Sequence, residues 1–274
     1  MQPEFYSIPV PKIEIPDELP GKLIVLEGTD GVGRSIQTQL LRNWLESSGL
    51  AVYDTGLRRS RLAGTHIQEA KEGHTMSHRT QSLYYATDFA DRLENEIIPA
   101  LRAGFVVLTD RYIYSLMARA AVRGMEHDWL RKLYGFALKP HLILYLEVSI
   151  ANLIPRVLNS GGFDYWESGL DYLRKPTRYE AFVAHQTALL EEFGKMIEEF
   201  DFYVVDADMS IQEVFEALQE PVKETVRDIV PGAVRFTDMV VPMLPQKIVE
   251  AQQQDSGDSD KSVRDFLTDI LDEE

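Results

Sequence analysis

The sequence contains no cysteine among its 274 residues. This absence excludes disulfide bonds, thiolate metal ligands and a cysteine nucleophile. The sequence also has no run of about 18 apolar residues, and its N-terminus lacks the basic start and apolar core of a signal sequence. These absences predict a cytoplasmic protein that makes no membrane contact.

Basic residues are also scarce, because 28 lysines and arginines face 44 acidic residues and leave a net charge of −16. Binding to DNA or RNA relies on a basic surface that neutralises phosphates. The composition therefore predicts neither DNA nor RNA as a partner. Any anionic substrate must be met by a local basic pocket.

The chain divides by composition into three segments. Residues 1–21 carry prolines at positions 3, 9, 11, 16 and 20, which prevent a helix and predict an extended N-terminal arm. Residues 22–219 alternate strand-like and helix-like stretches, ending in a short helix at 210–219. This alternation predicts a mainly parallel sheet covered by helices on both faces, an α/β fold.

Residues 220–274 form a C-terminal extension with a different pattern. A polar, acidic linker, "EAQQQDSGDSDKS", precedes "VRDFLTDILDEE", in which apolar residues recur at helical spacing. This pattern predicts a short amphipathic helix on a flexible tether. Such a helix could contact its own body, a second subunit or another protein, and a partly ordered acidic tail is the alternative.

A glycine-rich stretch, "GTDGVGRS", lies directly after an apolar strand and directly before a helix, which is the context of a phosphate-binding loop. Backbone N–H groups of such a loop and the start of the helix attract phosphate oxygens. Ser35 would direct its hydroxyl to Mg²⁺. The predicted nucleotide-binding residues are Gly28, Thr29, Asp30, Gly31, Val32, Gly33, Arg34, Ser35 and Ile36.

Arg34 stands where the phosphate-loop pattern has lysine. A guanidinium keeps the positive charge, but it is a broad planar fork rather than a compact donor. Three outcomes are open: phosphoryl transfer assisted by arginine, slow transfer, and nucleotide binding without transfer.

Asp110 and Arg111 end the predicted strand "GFVVLTD". The carboxyl ends of strands in an open parallel sheet face the ligand crevice, so both side chains should face the same cleft as the phosphate loop. Asp110 can hold Mg²⁺ there, and Arg111 can bridge the donor and acceptor phosphates during transfer. A structural ion pair at the strand end is the alternative.

Taken in order, "LEGTDGVG", "FADRLENEIIPALRAG", "VVLTDRYIYS", "LYLEV" and "VVDAD" resemble the thymidylate kinase family of nucleoside monophosphate kinases, over roughly residues 22–219. The resemblance implies a P-loop NTPase fold, with a parallel five-stranded sheet flanked by helices and a mobile lid. It implies transfer of a phosphoryl group from ATP to dTMP, with Mg²⁺. It also implies a homodimer.

Family roles carry over onto matching positions. Asp30 matches the loop aspartate that approaches the sugar of the acceptor nucleotide. Asp110, Arg111 and Tyr112 match the triplet that handles Mg²⁺ and the acceptor phosphate, and Arg156 matches an arginine that begins the lid. The phosphate loop, these matches and the departures described next together predict Arg34, Arg111 and Arg156 as catalytic residues, Ser35 and Asp110 as metal ligands, and Asp30, Arg58, Phe89, Asp110, Arg111 and Tyr112 as substrate contacts.

Three segments depart from the family pattern. The arginine that meets the acceptor phosphate is replaced by "TGLRRSRLAG", in which Arg58, Arg59 or Arg61 can substitute. The arginine that reads thymine aligns with Phe89, which can stack on a base but donates no hydrogen bond. A later segment, which in the family contains a polar residue that contacts the base, reads "ARA" here, residues 118–120. The lid, "RVLNSGGFDYWESGLDYLRK", has basic residues only near its two ends.

The leading hypothesis is a thymidylate-kinase-like enzyme that uses ATP and Mg²⁺. A rival is a nucleotide-binding regulatory or scaffolding protein on a kinase fold, with weak or no catalysis. A third possibility is a kinase that acts on a different phosphate acceptor, such as another nucleotide.

Overall fold

The structure is a computed structural model that describes residues 3–7, 19–60, 62–73 and 76–231. Five parallel strands form one sheet in the order β2-β3-β1-β4-β5. This arrangement confirms the predicted α/β fold. The strands are β1 Lys22–Gly28, β2 Val52–Gly56, β3 Val106–Asp110, β4 Leu142–Glu147 and β5 Tyr203–Asp206.

Helices connect the strands and cover the sheet. They are α1 Arg34–Ser47, α2 Gly64–Glu72, α3 His78–Arg92, α4 Ile98–Arg102, α5 Ile113–Ala121, α6 His127–Leu133, α7 Ile150–Asn159, α8 Arg178–Glu199 and α9 Ile211–Val226. A π-helical turn, Leu93–Ile97, joins α3 to α4 without a break. The helical tract predicted near residues 79–102 is therefore continuous and contains one wider turn.

The central strand β1 is buried along its whole length, which explains its uninterrupted apolar sequence. Successive side chains point to opposite faces of the sheet. Leu23 and Val25 join a core that includes α3 and α5, whereas Ile24 and Leu26 join a core that includes α1 and α9. Two hydrophobic layers thus fix the sheet, and with it the loops at its carboxyl edge.

Helix α9 ends at Val226, seven residues later than the sequence pattern predicts. Pro221 lies inside the helix, where proline removes one backbone hydrogen bond. The helix continues because Val222 and Val226 are buried against the core that also contains Ile24 and Leu26. The predicted boundary between residues 219 and 220 falls inside α9, and the predicted helix of residues 263–271 lies outside the described residues.

The first described residues pack on the body. Phe5 pairs with Leu138 in an isolated antiparallel bridge, and the Ser7 N–H donates to the Gly135 carbonyl at 2.7 Å. The Tyr6 ring packs edge-on against Tyr114. Residues 8–18 of the predicted N-terminal arm lie outside the described residues.

Phe89 and Tyr112, both expected to contact substrate, lie in the core instead. Both side chains are fully buried, and their rings meet edge-on with centroids 4.9 Å apart. The Tyr112 hydroxyl donates to the Leu138 carbonyl at 2.8 Å. Neither ring lines the cavity described below, so the structure corrects both assignments: Phe89 packs among aromatic side chains and has no face free for a base.

Replacing Phe89 with alanine should therefore affect folding more than nucleotide recognition. We expect Phe89→Ala to lower the free energy of unfolding by about 3–5 kcal/mol, because it removes a fully buried ring and leaves a cavity. Urea unfolding measures this change. Leu83→Ala, on the exposed face of the same helix, should change stability by no more than about 0.5 kcal/mol. Equal effects of the two variants would contradict the core assignment.

Candidate active site

The loop between β1 and α1 has the backbone shape of a phosphate-binding turn. Gly28, Gly31 and Gly33 have φ angles of 145°, 80° and 104°, a region that favours glycine. A Cβ atom at Gly31 would lie 2.7 Å from the Val157 Cγ2 atom, so a larger residue would not fit. Gly33 precedes α1 and supplies no capping side chain, which leaves the helix N-terminus available to an anion.

Arg34 folds back into its own loop. Its Nη1 atom donates to the Gly28 carbonyl at 2.6 Å and to the Thr29 carbonyl, and its Nε atom donates to Asp110 Oδ1 at 2.7 Å. The side chain is only 8% exposed. A guanidinium can make these three contacts at once because its donors form a rigid fork, which a lysine ammonium lacks.

Asp110 joins Arg34 to Ser35, whose hydroxyl donates to Asp110 Oδ2 at 3.2 Å. Burial would raise the pKa of Asp110, but the charges of Arg34 and Arg111 lower it below its ordinary value. An ionised carboxylate beside a hydroxyl is a donor set that suits Mg²⁺. Among the described residues, no three acidic or histidine side chains gather into a site, so Mg²⁺ would need further oxygens from phosphates and water.

Asp30 is held between two arginines. Its Oδ1 atom accepts from Arg111 Nη2, and its Oδ2 atom accepts from Arg119 Nη2. Burial would raise the pKa of Asp30, but the charges of Arg111 and Arg119 lower it well below its ordinary value. Burial, together with repulsion from Arg119 and Arg34, lowers the pKa of Arg111 to about 10. Asp30 is therefore ionised and neutralises a crowded pair of cations.

Glu27, a site residue that the sequence did not indicate, fixes the segment after Asp110. Its buried carboxyl accepts the N–H groups of Tyr112 at 2.8 Å and of Ser115 at 3.2 Å, as well as the Ser115 hydroxyl. It thus caps α5, because Tyr112 makes no side-chain cap of its own. Burial raises the pKa of Glu27. This cap fixes the backbone next to Arg111, whose φ angle is 75°.

Asp88 holds the loop after β2 in an equivalent way. One carboxyl oxygen accepts the Arg58 N–H and the other accepts the Ser60 N–H, each at 3.1 Å. Arg58 has a φ angle of 64°, so the turn depends on these bonds. Arg58 and Arg59 both line the cavity described next, and Arg61 lies outside the described residues.

A cavity of about 550 Å³ opens beside the phosphate loop. Helices α3 and α5, the loop after β2 and the segment between α7 and α8 surround it. Aspartate and glutamate side chains also line it, including Asp30, Asp110 and Glu167. Its arginines are Arg34, Arg58, Arg59, Arg111, Arg119 and Arg123. A local basic pocket therefore exists in an acidic chain, as the composition required.

The segment between α7 and α8, residues 160–177, contains most of the predicted lid and is bound to Arg123, just beyond the end of α5. Arg123 binds both carboxyl oxygens of Asp171, at 2.7 and 3.0 Å, and the Trp166 carbonyl at 3.1 Å. Burial and the negative charge of Asp30 raise the pKa of Glu167, a lid residue, to about 7. This segment thus lines the cavity and is held to its wall mainly by Arg123 and Asp171.

Arg156 takes a different position from Arg34 and Arg111. Its guanidinium donates to the Val32 carbonyl at 3.2 Å and to the Ala207 carbonyl at 2.7 Å. It therefore links the phosphate loop to the turn after β5 and does not line the cavity.

Ile36, the last of the predicted nucleotide-binding residues, is about half exposed on the first turn of α1.

A family model described as thymidylate kinase matches residues 26–218. The chain belongs to the thymidylate kinase family. A probable thymidylate kinase 2 from Saccharolobus solfataricus is 37% identical over 196 residues, covering 71% of this chain and 92% of that protein. A probable thymidylate kinase from Pyrococcus abyssi is 31% identical over 209 residues, covering 74% and 96%.

A thymidylate kinase from Nostoc punctiforme is 28% identical over 215 residues, covering 76% of this chain and 96% of that protein. The family match, residues 26–218, includes the end of β1, the other four strands, the phosphate loop and the cavity. Across the part of the chain that the structure describes, no helix combines the length and apolar character needed to cross a membrane.

Two arginines that line the cavity, Arg119 and Arg123, were not predicted as site residues, although the sequence contains a signal for them. Ser115, Arg119 and Arg123 follow Arg111 at intervals of four residues, close to the helix repeat, and α5 carries Ser115 and Arg119 on one side. Three of these four residues are arginines in a chain that is short of basic residues. Glu27 and Asp88 carried a weaker signal, because a single acidic residue within an apolar stretch does not identify its partner.

Replacing Asp30 with asparagine tests the charge pairing. The folded pKa of Asp30 is lowered, so its ionised form stabilises the fold above the ordinary pKa of 3.8, and this stability is lost as the pH falls below it. We expect Asp30→Asn to be less stable than the parent protein at pH 7, because Arg111 and Arg119 lose their shared anion. The difference in the free energy of unfolding between the two proteins should become smaller as the pH falls from 5 to 3.

Urea unfolding at pH 7, 5, 4 and 3 measures this difference. Asp128→Asn, on the first turn of α6, is a suitable control because Asp128 has no partner comparable to Arg111 or Arg119 in the described structure. A constant difference between Asp30→Asn and the parent protein across this range would contradict the ionised pairing.

Proposed function

We propose that this protein is a nucleoside monophosphate kinase that transfers the γ-phosphoryl group of ATP to dTMP, giving dTDP and ADP. One observation carries the proposal: a phosphate loop and an arginine-lined cavity meet at Asp30 and Asp110. Donor and acceptor phosphates need such a meeting point, because the transfer depends on alignment and charge stabilisation. The family relationship supplies the substrate pair.

On the donor side, the loop amides and the start of α1 bind the phosphates of ATP. Arg34 releases Asp110 and the loop carbonyls and turns its guanidinium toward the donor phosphates. Ser35 and Asp110 would hold Mg²⁺, which would supply positive charge to neutralise the phosphates. Ile36 lies beside the bound nucleotide, and Arg156 positions the loop through the Val32 carbonyl.

On the acceptor side, Arg58 and Arg111 bind the phosphate of dTMP, and Asp30 approaches its sugar. Arg111 is the best placed of these residues to steady the transferring group, because it directly follows β3 and lies beside both Asp30 and Asp110. The lid excludes water from the cavity when the ion pair between Arg123 and Asp171 holds it in place. Exclusion of water favours phosphoryl transfer to the nucleotide over hydrolysis of ATP.

We further propose a cytoplasmic homodimer in which residues 22–226 form the kinase domain, including the whole of α9. Residues 1–21 are an arm on this domain. The C-terminal extension contacts a second subunit or another protein, and cross-linking before and after deletion of residues 250–274 tests this role.

The alternative reading, a regulatory protein with little or no catalysis, is not favoured. Each group needed for transfer has a counterpart in the site: a cation in the phosphate loop, a hydroxyl–carboxylate pair for Mg²⁺, and arginines facing the acceptor cavity.

An ADP-release assay across dTMP, dUMP, dCMP, dAMP and dGMP tests the function directly. We expect turnover of dTMP with ATP and Mg²⁺, and loss of that turnover when the metal is chelated. Measurable ATP binding without turnover of any acceptor would instead support the regulatory alternative.

Arg34 variants test the role of the altered phosphate loop. We expect Arg34→Met to lower kcat by about 10²–10³-fold, because it removes a cation from the charge that develops during transfer. Arg34→Lys should keep more activity than Arg34→Met, because it restores a cation. Arg42→Met is the matched control: Arg42 lies on the same helix and pairs with Glu46 at the surface. An Arg34→Met variant as active as this control would exclude Arg34 from catalysis.

A further inference from the structure

Two acidic side chains on α3 bind the loop after β2. Asp88 accepts the N–H groups of Arg58 and Ser60, each at 3.1 Å. Three residues further along the helix, Asp91 accepts the Ser60 hydroxyl. That hydroxyl in turn accepts two further N–H groups of the loop, each at 3.1 Å. The position of this loop is therefore set by α3.

The loop brings two arginines to the cavity, Arg58 and Arg59. Arg58 has a φ angle of 64°, which is unfavourable for a residue with a side chain, so its turn depends on contacts that fix it. The bond from its own N–H group to Asp88 is such a contact. Asp88 is fully buried and does not line the cavity, so it can influence a bound anion only through the loop.

The partner of Asp88 within the core is Arg92, one helical turn further along α3. Both side chains are fully buried, and Arg92 Nε donates to Asp88 Oδ2 at 3.2 Å. Among the described residues, no group accepts a hydrogen bond from Nη1 or Nη2 of Arg92. Apolar side chains of similar volume often stabilise a core as well as a buried ion pair does, or better. Stability alone therefore does not account for this pair, whereas a need to hold the Asp88 carboxylate in one place does.

We propose that Asp88 is a positioning residue for the phosphate acceptor: through the loop backbone, it holds the Arg58 guanidinium where the phosphate of the acceptor binds. Arg92 supplies the positive charge that balances the carboxylate. This inference rests on the proposed function for the identity of the bound anion. A guanidinium that is held in place before the substrate arrives loses less conformational entropy on binding, so the acceptor binds more tightly.

Replacing Asp88 with asparagine tests this role. The amide keeps the shape of the side chain, but its amino group cannot accept a hydrogen bond from a loop N–H group. We expect the KM for dTMP to rise by about 10–100-fold, the effect of losing a hydrogen bond to a charged group. The KM for ATP should change by less than about twofold, because the phosphate loop is untouched. An unchanged KM for dTMP would overturn the proposal.

A double-mutant cycle shows whether Asp88 acts through Arg58. Arg58→Met should raise the KM for dTMP at least as much as Asp88→Asn does, because it removes the guanidinium itself. Adding Asp88→Asn to Arg58→Met should then raise this KM by less than about threefold, since the positioned group is already absent. Effects of the two substitutions that simply multiply would contradict the proposal.

A second variant separates the position of the carboxylate from the balance of charge. Asp88→Asn leaves Arg92 buried without a counter-charge and lowers stability, whereas Asp88→Asn combined with Arg92→Met leaves no unpaired charge at this place. We expect the double variant to be more stable to heat than Asp88→Asn but to keep the raised KM for dTMP. A KM that returns to the parent value would show that Asp88 matters only as the partner of Arg92, and the proposal would fail.

Glu94→Gln, the same chemical change at an exposed position in the π-helical turn, is the control and should leave both KM values unchanged. Calorimetric titration with dTMP separates this inference from the proposed function. If the protein binds dTMP but transfers no phosphoryl group, a Kd for dTMP that Asp88→Asn raises by about 10–100-fold still supports the role of Asp88. An equal Kd in the two proteins, or no binding of dTMP by the parent protein, overturns it.

Discussion

The site depends on one electrostatic constraint: several arginines lie close together around one cavity, and carboxylates hold them there. Arg34 is paired with Asp110, Arg111 and Arg119 share Asp30, and Arg123 is paired with Asp171. Each pair joins segments that are distant in sequence. An unpaired charge in such surroundings would be strongly unfavourable. The same ion pairs therefore also fix four segments relative to one another: the phosphate loop, the end of β3, α5 and the segment between α7 and α8.

Under the proposed function, substrate binding is an exchange of anionic partners. A phosphate that enters the cavity competes with Asp30 and Asp110 for guanidinium groups that are already desolvated and oriented. Little reorganisation is then needed when charge builds up during transfer, which is the condition under which fixed charges assist catalysis most. The acidic residues of the cavity are thus compatible with binding an anion, because they keep the arginines in place until it arrives.

The fold and the phosphate loop could be predicted from the sequence because their signals are local. Apolar strands, helical periodicity and three spaced glycines each depend on neighbouring residues. Phe89 was misassigned because its position in the helix was known but not its surroundings, and burial among Tyr112, Tyr134 and Phe136 decides its role. The end of α9 was misplaced because the burial of Val222 and Val226 outweighs the local effect of Pro221.

The partners of Glu27 and Asp88 could not be predicted from the sequence, because they too are set by contacts between distant segments. Glu27 binds groups 85 and 88 positions away, and Asp88 binds groups 28 and 30 positions away, so only the folded chain brings them together. Arg119 and Arg123 were more accessible to prediction, since they follow Ser115 at intervals of four residues, close to the helix repeat.

The contacts that Arg34 makes within its own loop also bear on how the protein responds to nucleotide concentration. If ATP must displace Arg34 from Asp110 and from the carbonyls of Gly28 and Thr29, part of its intrinsic binding free energy is used for that displacement. The apparent affinity for ATP is then the intrinsic affinity multiplied by the fraction of molecules whose loop is open. Under the proposed function, such a loop would discriminate against small anions, which make too few contacts to open it, and the fraction of protein with ATP bound would stay sensitive to the ATP concentration.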